Sequence, residues 1–198
     1  MAISQLQHCD SLVQNFLNAN SIPSASLAIS KAGKLIYMKG FGYADLNQTD
    51  STYPHNLFRI ASISKPITAI AIMKMVENGQ LNLSDTVFGT SGLLANHSYL
   101  NSANVTDNRI YKITVQHLLE HSGGWDRDTP CISGNATPYT FQPSHCDPIG
   151  FPRHVTQVLG ESNPVTEEMH IKFLLEKGLD HDPGSGYWYS NIGYLVLG

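Results

Sequence analysis

Leu6, Cys9, Leu12, Val13, Phe16 and Leu17 recur every three to four positions. That spacing predicts an amphipathic helix with Ser4 as its cap and Asn20 as its stop. The pattern then changes period. Residues 24–30 and 35–43 read as strands, and Lys31-Ala32-Gly33-Lys34 between them reads as a hairpin turn. Residues 44–58 are polar and predict a loop. Helical spacing returns at Ile67, Ile70, Ala71, Lys74 and Met75, with Gly79 as the stop. Pro66 fits a helix only in its first turn, so this helix is expected to begin near residues 62–64. Residues 84–113 are expected to be mostly loop. Residues 114–121 form a short predicted helix capped by Thr114 and closed by Gly123-Gly124. Residues 125–164 are a long stretch rich in Pro, Gly and Ser, the length of a functional excursion. Another helix is predicted over 166–177, with Glu167 and Glu168 in its first turn and Gly178 after its end. Asp182-Pro183-Gly184-Ser185-Gly186 then turns the chain into Tyr187-Trp188-Tyr189-Ser190-Asn191, and residues 192–198 read as helical.

No internal repeat interrupts this order of helix, hairpin and helices. It predicts an α+β fold, a sheet lobe over 1–60 and a mainly helical lobe over 61–198 of a single domain. Seven residues are short for a helix, and a lone two-stranded hairpin is not independently stable. The expectation is therefore a chain incomplete at its C-terminus, continuing past Gly198 into strands that pair with residues 24–43.

Composition narrows the classes. The 198 residues are 41% hydrophobic and 14% charged, which is globular rather than disordered. The net charge is −4 and no Lys/Arg block appears, which argues against nucleic acid and anionic membrane as partners. No apolar run reaches the roughly 20 residues needed to span a bilayer, and residues 1–20 lack the features of a signal peptide. Sequons begin at Asn47, Asn82, Asn96, Asn104 and Asn135. That exceeds the about two expected by chance and leans towards a secreted glycoprotein. Cys131 and Cys146 flank a loop and are placed to bridge, worth about 3 kcal/mol on a chain-entropy model. The alternative is two free thiols. Cys9 is expected in the core.

Candidate chemistry centres on Ser62-Ile63-Ser64-Lys65. A serine hydroxyl needs a base within hydrogen-bond reach, and residues three apart share a helix face. Ser62 is also expected to face the positive end of the helix dipole. Tyr189 is a second candidate base, since a neighbouring ammonium lowers a phenol's proton affinity. Asn191 offers a carboxamide that both donates and accepts. His117 and His121 have the i, i+4 spacing of zinc helices but lack the adjoining Glu and a third ligand, so no metal is expected. His121 is expected instead to hydrogen-bond near the Gly123-Gly124 turn. The His145-Cys146-Asp147 and His181-Asp182 groups read as incidental. No phosphate-binding Gly-rich loop and no G-x-S-x-G elbow is present, which argues against an α/β-hydrolase.

Four stretches, in order, resemble the serine β-lactamase and penicillin-binding-protein superfamily, in its class C-like esterase and peptidase branch. They are residues 22–43 with the Gly40-Phe41-Gly42-Tyr43-Ala44-Asp45 ending, and Phe58-Arg59-Ile60-Ala61-Ser62-Ile63-Ser64-Lys65-Pro66. The others are residues 113–124, containing Leu118-Leu119-Glu120-His121-Ser122-Gly123, and the segment from Pro183-Gly184 through Tyr189-Ser190-Asn191-Ile192-Gly193-Tyr194.

The resemblance implies a β-lactamase/transpeptidase-like fold and a serine hydrolase that passes through an acyl-serine. Ser62 is implied as the nucleophile, Lys65 and Tyr189 as sharing the proton work, and Asn191 as orienting substrate. The Ser62 backbone N–H is implied as one oxyanion donor. The implied partner is a small ester, peptide or lactam, with no cofactor; residues 125–164, with Trp125, Tyr139 and Phe141, are expected to shape its pocket. The family's third motif, a Lys/His-x-Gly strand that supplies the second oxyanion donor, has no counterpart in these residues. The 198-residue species is therefore expected to be inactive or weak alone. The alternative is a catalytically incomplete fragment or pseudoenzyme serving as a binding or scaffold module.

Overall fold

The computed structural model describes residues 4–130 and 146–198. The chain divides into two compact units, Met1–Ile60 and Ala61–Gly198.

In the first unit, α1 (Ser4–Ala19) precedes an antiparallel pair, β1 (Ser24–Lys31) and β2 (Lys34–Gly42). Ala32 and Gly33 at the turn both take left-handed backbone angles, φ 50° and 73°, as a two-residue hairpin turn of the favoured hand requires. Leu27 pairs with Lys39, and an irregularity between Ile29 and Ser30 shifts the register near the turn. Gly42 is needed where it stands. Its φ is 74°, and a Cβ there would fall 2.0 Å from the Pro23 carbonyl oxygen. α1 is tied to β2 through Asp10, which accepts from Lys39 Nζ at 2.6 Å and from the Tyr37 hydroxyl. That hydrogen bond pushes the Tyr37 phenol up to about 12. The predicted helical stripe is only partly buried: Leu17 is inside, whereas Leu12 and Phe16 are exposed. In the loop that follows, the Asp45 carboxylate accepts the backbone N–H groups of Asn47, Thr49 and Asp50.

The second unit is helical. α2 (Ser64–Glu77) follows a 3-10 turn at Ala61–Ile63, and α3 is Ser98–Asn101. A 3-10 turn at Asn108–Lys112 leads to α4 (Val115–Leu119). Another at Pro148–Gly150 leads to α5 (Pro152–Leu159), followed by α6 (Glu167–Lys177) and α7 (Asn191–Leu197). Ile110, Ile113, Val115, Leu118, Val155, Leu174 and Ile192 are almost wholly buried and form its core.

Several local expectations are met for identifiable reasons. Thr114 caps α4: its hydroxyl accepts the His117 N–H at 3.3 Å, while His117 Nδ1 accepts the Thr114 N–H at 3.2 Å. Thr166 caps α6 through the Met169 N–H, and Gly178 ends that helix at φ 87°. Others are corrected. Residues 125–164 contain α5, which starts at Pro152, ends at Gly160 in a left-handed conformation, and buries Val155 and Thr156. Pro at a first helical position and Gly after the last are helix punctuation as much as loop composition. α3 and the 3-10 turn at Asn108–Lys112 likewise interrupt the loop expected over 84–113. On α2 the buried residue is Ile72, while Ile67 and Ile70 are exposed. Trp125, expected at the pocket, is 3% exposed and packs edge-on against Phe88 in the core.

An ion network fixes the segment that leads to Tyr189. Asp107 accepts from Arg109 Nε and Nη2 and from the Leu179 N–H. Arg109 also donates to Asp182 and to the Leu179 carbonyl. The Arg109 guanidinium holds the Asp107 carboxyl well below the usual carboxylate range. Beside it the Gly124 carbonyl accepts the N–H groups of Asp180 and His181. Gly124 has φ 97°, and a Cβ there would lie 2.4 Å from the His181 carbonyl oxygen.

Cys9 is a free thiol at half-buried depth. Cys146 is disulfide-bonded, and Cys131, like Tyr139, Phe141 and His145, lies outside the described residues. Among the described residues no helix is long and apolar enough to cross a membrane.

Candidate active site

Ser62 sits in the 3-10 turn before α2 rather than on the α-helix itself. This preserves the motif's logic, because side chains three apart eclipse one another in a 3-10 turn. Lys65 Nζ donates to Ser62 Oγ at 3.2 Å. Ala61, just before the serine, takes a left-handed φ of 45°, a conformation that costs a Cβ-bearing residue about 1–2 kcal/mol. No spacing rule signals that strain.

The remaining groups come from the other end of the unit. Ser190 caps α7, its hydroxyl accepting the Gly193 N–H at 3.3 Å. The cap begins the helix at Asn191 and leaves Tyr189 on the segment that precedes it. α7 packs on both α2 and α4, which brings Tyr189 and Asn191 to Ser62 and Lys65. The Tyr189 Oη lies 2.6 Å from Ser62 Oγ. Lys65 Nζ donates to Asn191 Oδ1 at 2.6 Å, and stands 4.8 Å from the centre of the Tyr189 ring. All four predicted site residues are thus in one contact network. Ser62 opens onto a cleft of about 420 Å³, whose walls include Lys65, Thr68, Ile149, Asn191 and Leu195.

Burial pushes the Tyr189 phenol up, but Lys65 and Ser62, with the Arg127 charge, outweigh it and leave the phenol below its ordinary value. The Arg127 guanidinium carbon is 4.6 Å from the ring centre. A lowered proton affinity makes the phenolate form of Tyr189 more accessible beside the serine hydroxyl.

Three participants were missed or misplaced by sequence reasoning. Arg127 carried no motif. His121 does not serve the Gly123-Gly124 turn: its Nδ1 accepts the Ser190 N–H at 3.1 Å and its ring stacks on Tyr189 with centres 4.5 Å apart. That acceptor role places the proton of the neutral ring on Nε2. Burial, and then the Lys65 charge, lower its proton affinity. Asp147, which reads as incidental in the sequence, accepts through Oδ2 from Asn191 Nδ2 at 2.6 Å across 44 residues. His117 is occupied by the Thr114 cap, and His181 stacks on Trp188 at 3.8 Å. Among the described residues, no group of three or more His, Cys, Asp or Glu is placed to hold a metal ion.

The Beta-lactamase family model matches residues 9–198. The chain belongs to the beta-lactamase family. Protein flp of Staphylococcus aureus is 29% identical over 192 residues, covering 97% of this chain and 32% of that protein. Among solved structures, the octameric penicillin-binding protein homologue from Pyrococcus abyssi superposes with a TM-score of 0.61 at 28% identity, over 100% of this chain and 38% of that one. EstCE1, a hydrolase with promiscuous acyltransferase activity, gives a TM-score of 0.62 at 25% identity, over 95% and 44%. The fold is therefore β-lactamase/transpeptidase-like, represented among the described residues of this beta-lactamase-family chain by a mainly helical portion and a two-stranded sheet. The chain spans about a third of the length of the curated relatives it matches.

Proposed function

We propose that this beta-lactamase-family protein is a serine hydrolase that acts through an acyl-Ser62 intermediate on small ester, amide or lactam carbonyls. The observation that carries the reading is the 2.6 Å contact between Ser62 Oγ and Tyr189 Oη, with Lys65 3.2 Å from the same serine oxygen. The Tyr189 phenolate takes the Ser62 proton as Oγ attacks the carbonyl carbon. The new C–O bond converts the carbonyl to an oxyanion, and the Ser62 N–H supplies one donor to it. Collapse of that intermediate breaks the bond to the leaving group, which receives the proton from Tyr189. A water then repeats the sequence in reverse and frees Ser62. Another hydroxyl in place of water yields transfer. Lys65, 3.2 Å from Ser62 Oγ and 4.8 Å from the centre of the Tyr189 ring, stabilises the phenolate.

Residues 1–198 are proposed to belong to a single β-lactamase-like domain. The test is a rapid-quench experiment with a nitrophenyl ester, followed by peptide mass spectrometry. An acyl group on the Ser62 peptide, absent in Ser62→Ala, is expected. A folded protein that releases nitrophenol with no acyl group at Ser62 would refute the reading, and one that releases none would point to a binding or scaffold module.

A further inference from the structure

Asn191 has both ends of its carboxamide committed. Its Oδ1 accepts from Lys65 Nζ, and its Nδ2 donates to Asp147 Oδ2, each at 2.6 Å. A carboxamide is nearly symmetric in shape, so its partners fix which way it faces. Flipped, Asn191 would point an NH2 group at the Lys65 ammonium, donor against donor. Asp147 offers only acceptors and so forbids that orientation. Its other oxygen, Oδ1, is buried with no hydrogen-bond partner among the described residues. A buried carboxylate oxygen left without a partner costs the fold free energy, so stability alone does not account for this residue.

We propose that Asp147 is a positioning residue that locks the Asn191 carboxamide, and through it the Lys65 ammonium, in register with Ser62 and Tyr189. One N–H of Asn191 Nδ2 is spent on Asp147, and the second remains available to a substrate. The inference rests on the proposed role of Ser62 and Tyr189. The groups around the phenol are Ser62, Lys65, Arg127 and His121, with Tyr194 also 5.7 Å from Lys65 Nζ. Arg127 pairs in turn with Asp128 at 3.7 Å. Of these, only Lys65 is reached from Asp147 through Asn191.

Asp147→Asn and Asp147→Ala test the proposal by two readouts. The first is the titration of Tyr189, followed by 13C NMR of ζ-labelled tyrosine and assigned with Tyr189→Phe. Both variants let Asn191 flip and loosen Lys65, so the phenol should titrate about half a pH unit or more higher than in the wild type. The second is the rate of Ser62 acylation, which should fall about tenfold or more at neutral pH, with its acid limb moved upward in step. An unchanged Tyr189 titration in both folded variants overturns the proposal, as does a lowered melting temperature with that titration unmoved. If the wild type is not acylated at all, the hydrolase reading fails, while the Tyr189 titration still decides the role of Asp147.

Discussion

Ser62 Oγ and Tyr189 Oη lie 2.6 Å apart although 127 residues separate them in sequence. The contact exists because a 3-10 turn presents the serine and a serine-capped helix start presents the tyrosine. Lys65 touches both sides of it.

Tyr189→Phe keeps the ring, its stacking on His121 and the neighbouring cation contacts, and removes only the oxygen. Ser62 acylation should fall about 10²–10⁴-fold, the usual range for a lost general base. Lys65→Ala should fall at least as far, because it also removes the charge beside the phenol. Stopped-flow acylation rates with an activated ester check both. A Tyr189→Phe rate within threefold of wild type would remove Tyr189 from the proton-transfer step.

His121 binds fewer protons in the fold than in the unfolded chain, since burial and the Lys65 charge depress its proton affinity. Its contribution to stability is therefore complete above the ordinary histidine value of 6.5 and is lost as pH falls below that through the depressed folded value. Protonation also removes the Nδ1 acceptor for the Ser190 N–H. Urea unfolding at pH 7.5 and 5.5 should show wild type losing more stability than His121→Gln over that interval. Parallel losses would contradict the assignment.

Asp107 carries the opposite charge with the same sense of pH dependence. Its folded value is depressed by Arg109, so its stabilisation is complete above the ordinary carboxylate value of 3.8 and declines as pH drops below it. Asp107→Asn should cost about 1–3 kcal/mol at pH 7, the worth of a hydrogen bond to a charged group. That difference should shrink at pH 3. Chemical denaturation at the two pH values measures it.

Thr114→Ala removes the hydroxyl that accepts the His117 N–H. The expected loss is about 1 kcal/mol, typical of an N-cap, read as a lower denaturation midpoint. Retention of the wild-type midpoint would mean that α4 is held by packing of Val115 and Leu118 alone.

Local structure was legible in the sequence wherever one residue type has one use. Gly33 in a two-residue hairpin turn, Thr114 before a helix, and Gly178 after one all act within a few residues. Ser62, Lys65, Tyr189 and Asn191 were singled out because motif spacing and chemical type coincide. What was illegible depends on distant partners. Nothing near Asp147 indicates that it meets Asn191, and nothing near Arg127 indicates that it covers the Tyr189 ring. Ile67 and Ile70 follow helical spacing, but spacing does not say which stripe faces a neighbour. Trp125 looked like a pocket residue from its loop-like surroundings, yet its indole fills the core beside Phe88. α5 was hidden by the Pro and Gly that delimit it.

The proposed mechanism makes Ser62 a nucleophile activated by Lys65 and Tyr189. Its most direct test is reaction of the folded protein with a fluorophosphonate, read by intact and peptide mass spectrometry. The expected result is one phosphonyl group per chain, on the Ser62 peptide, lost in Ser62→Ala and strongly slowed in Tyr189→Phe. A folded wild-type protein that stays unmodified, or carries its label on another residue, would contradict the claim.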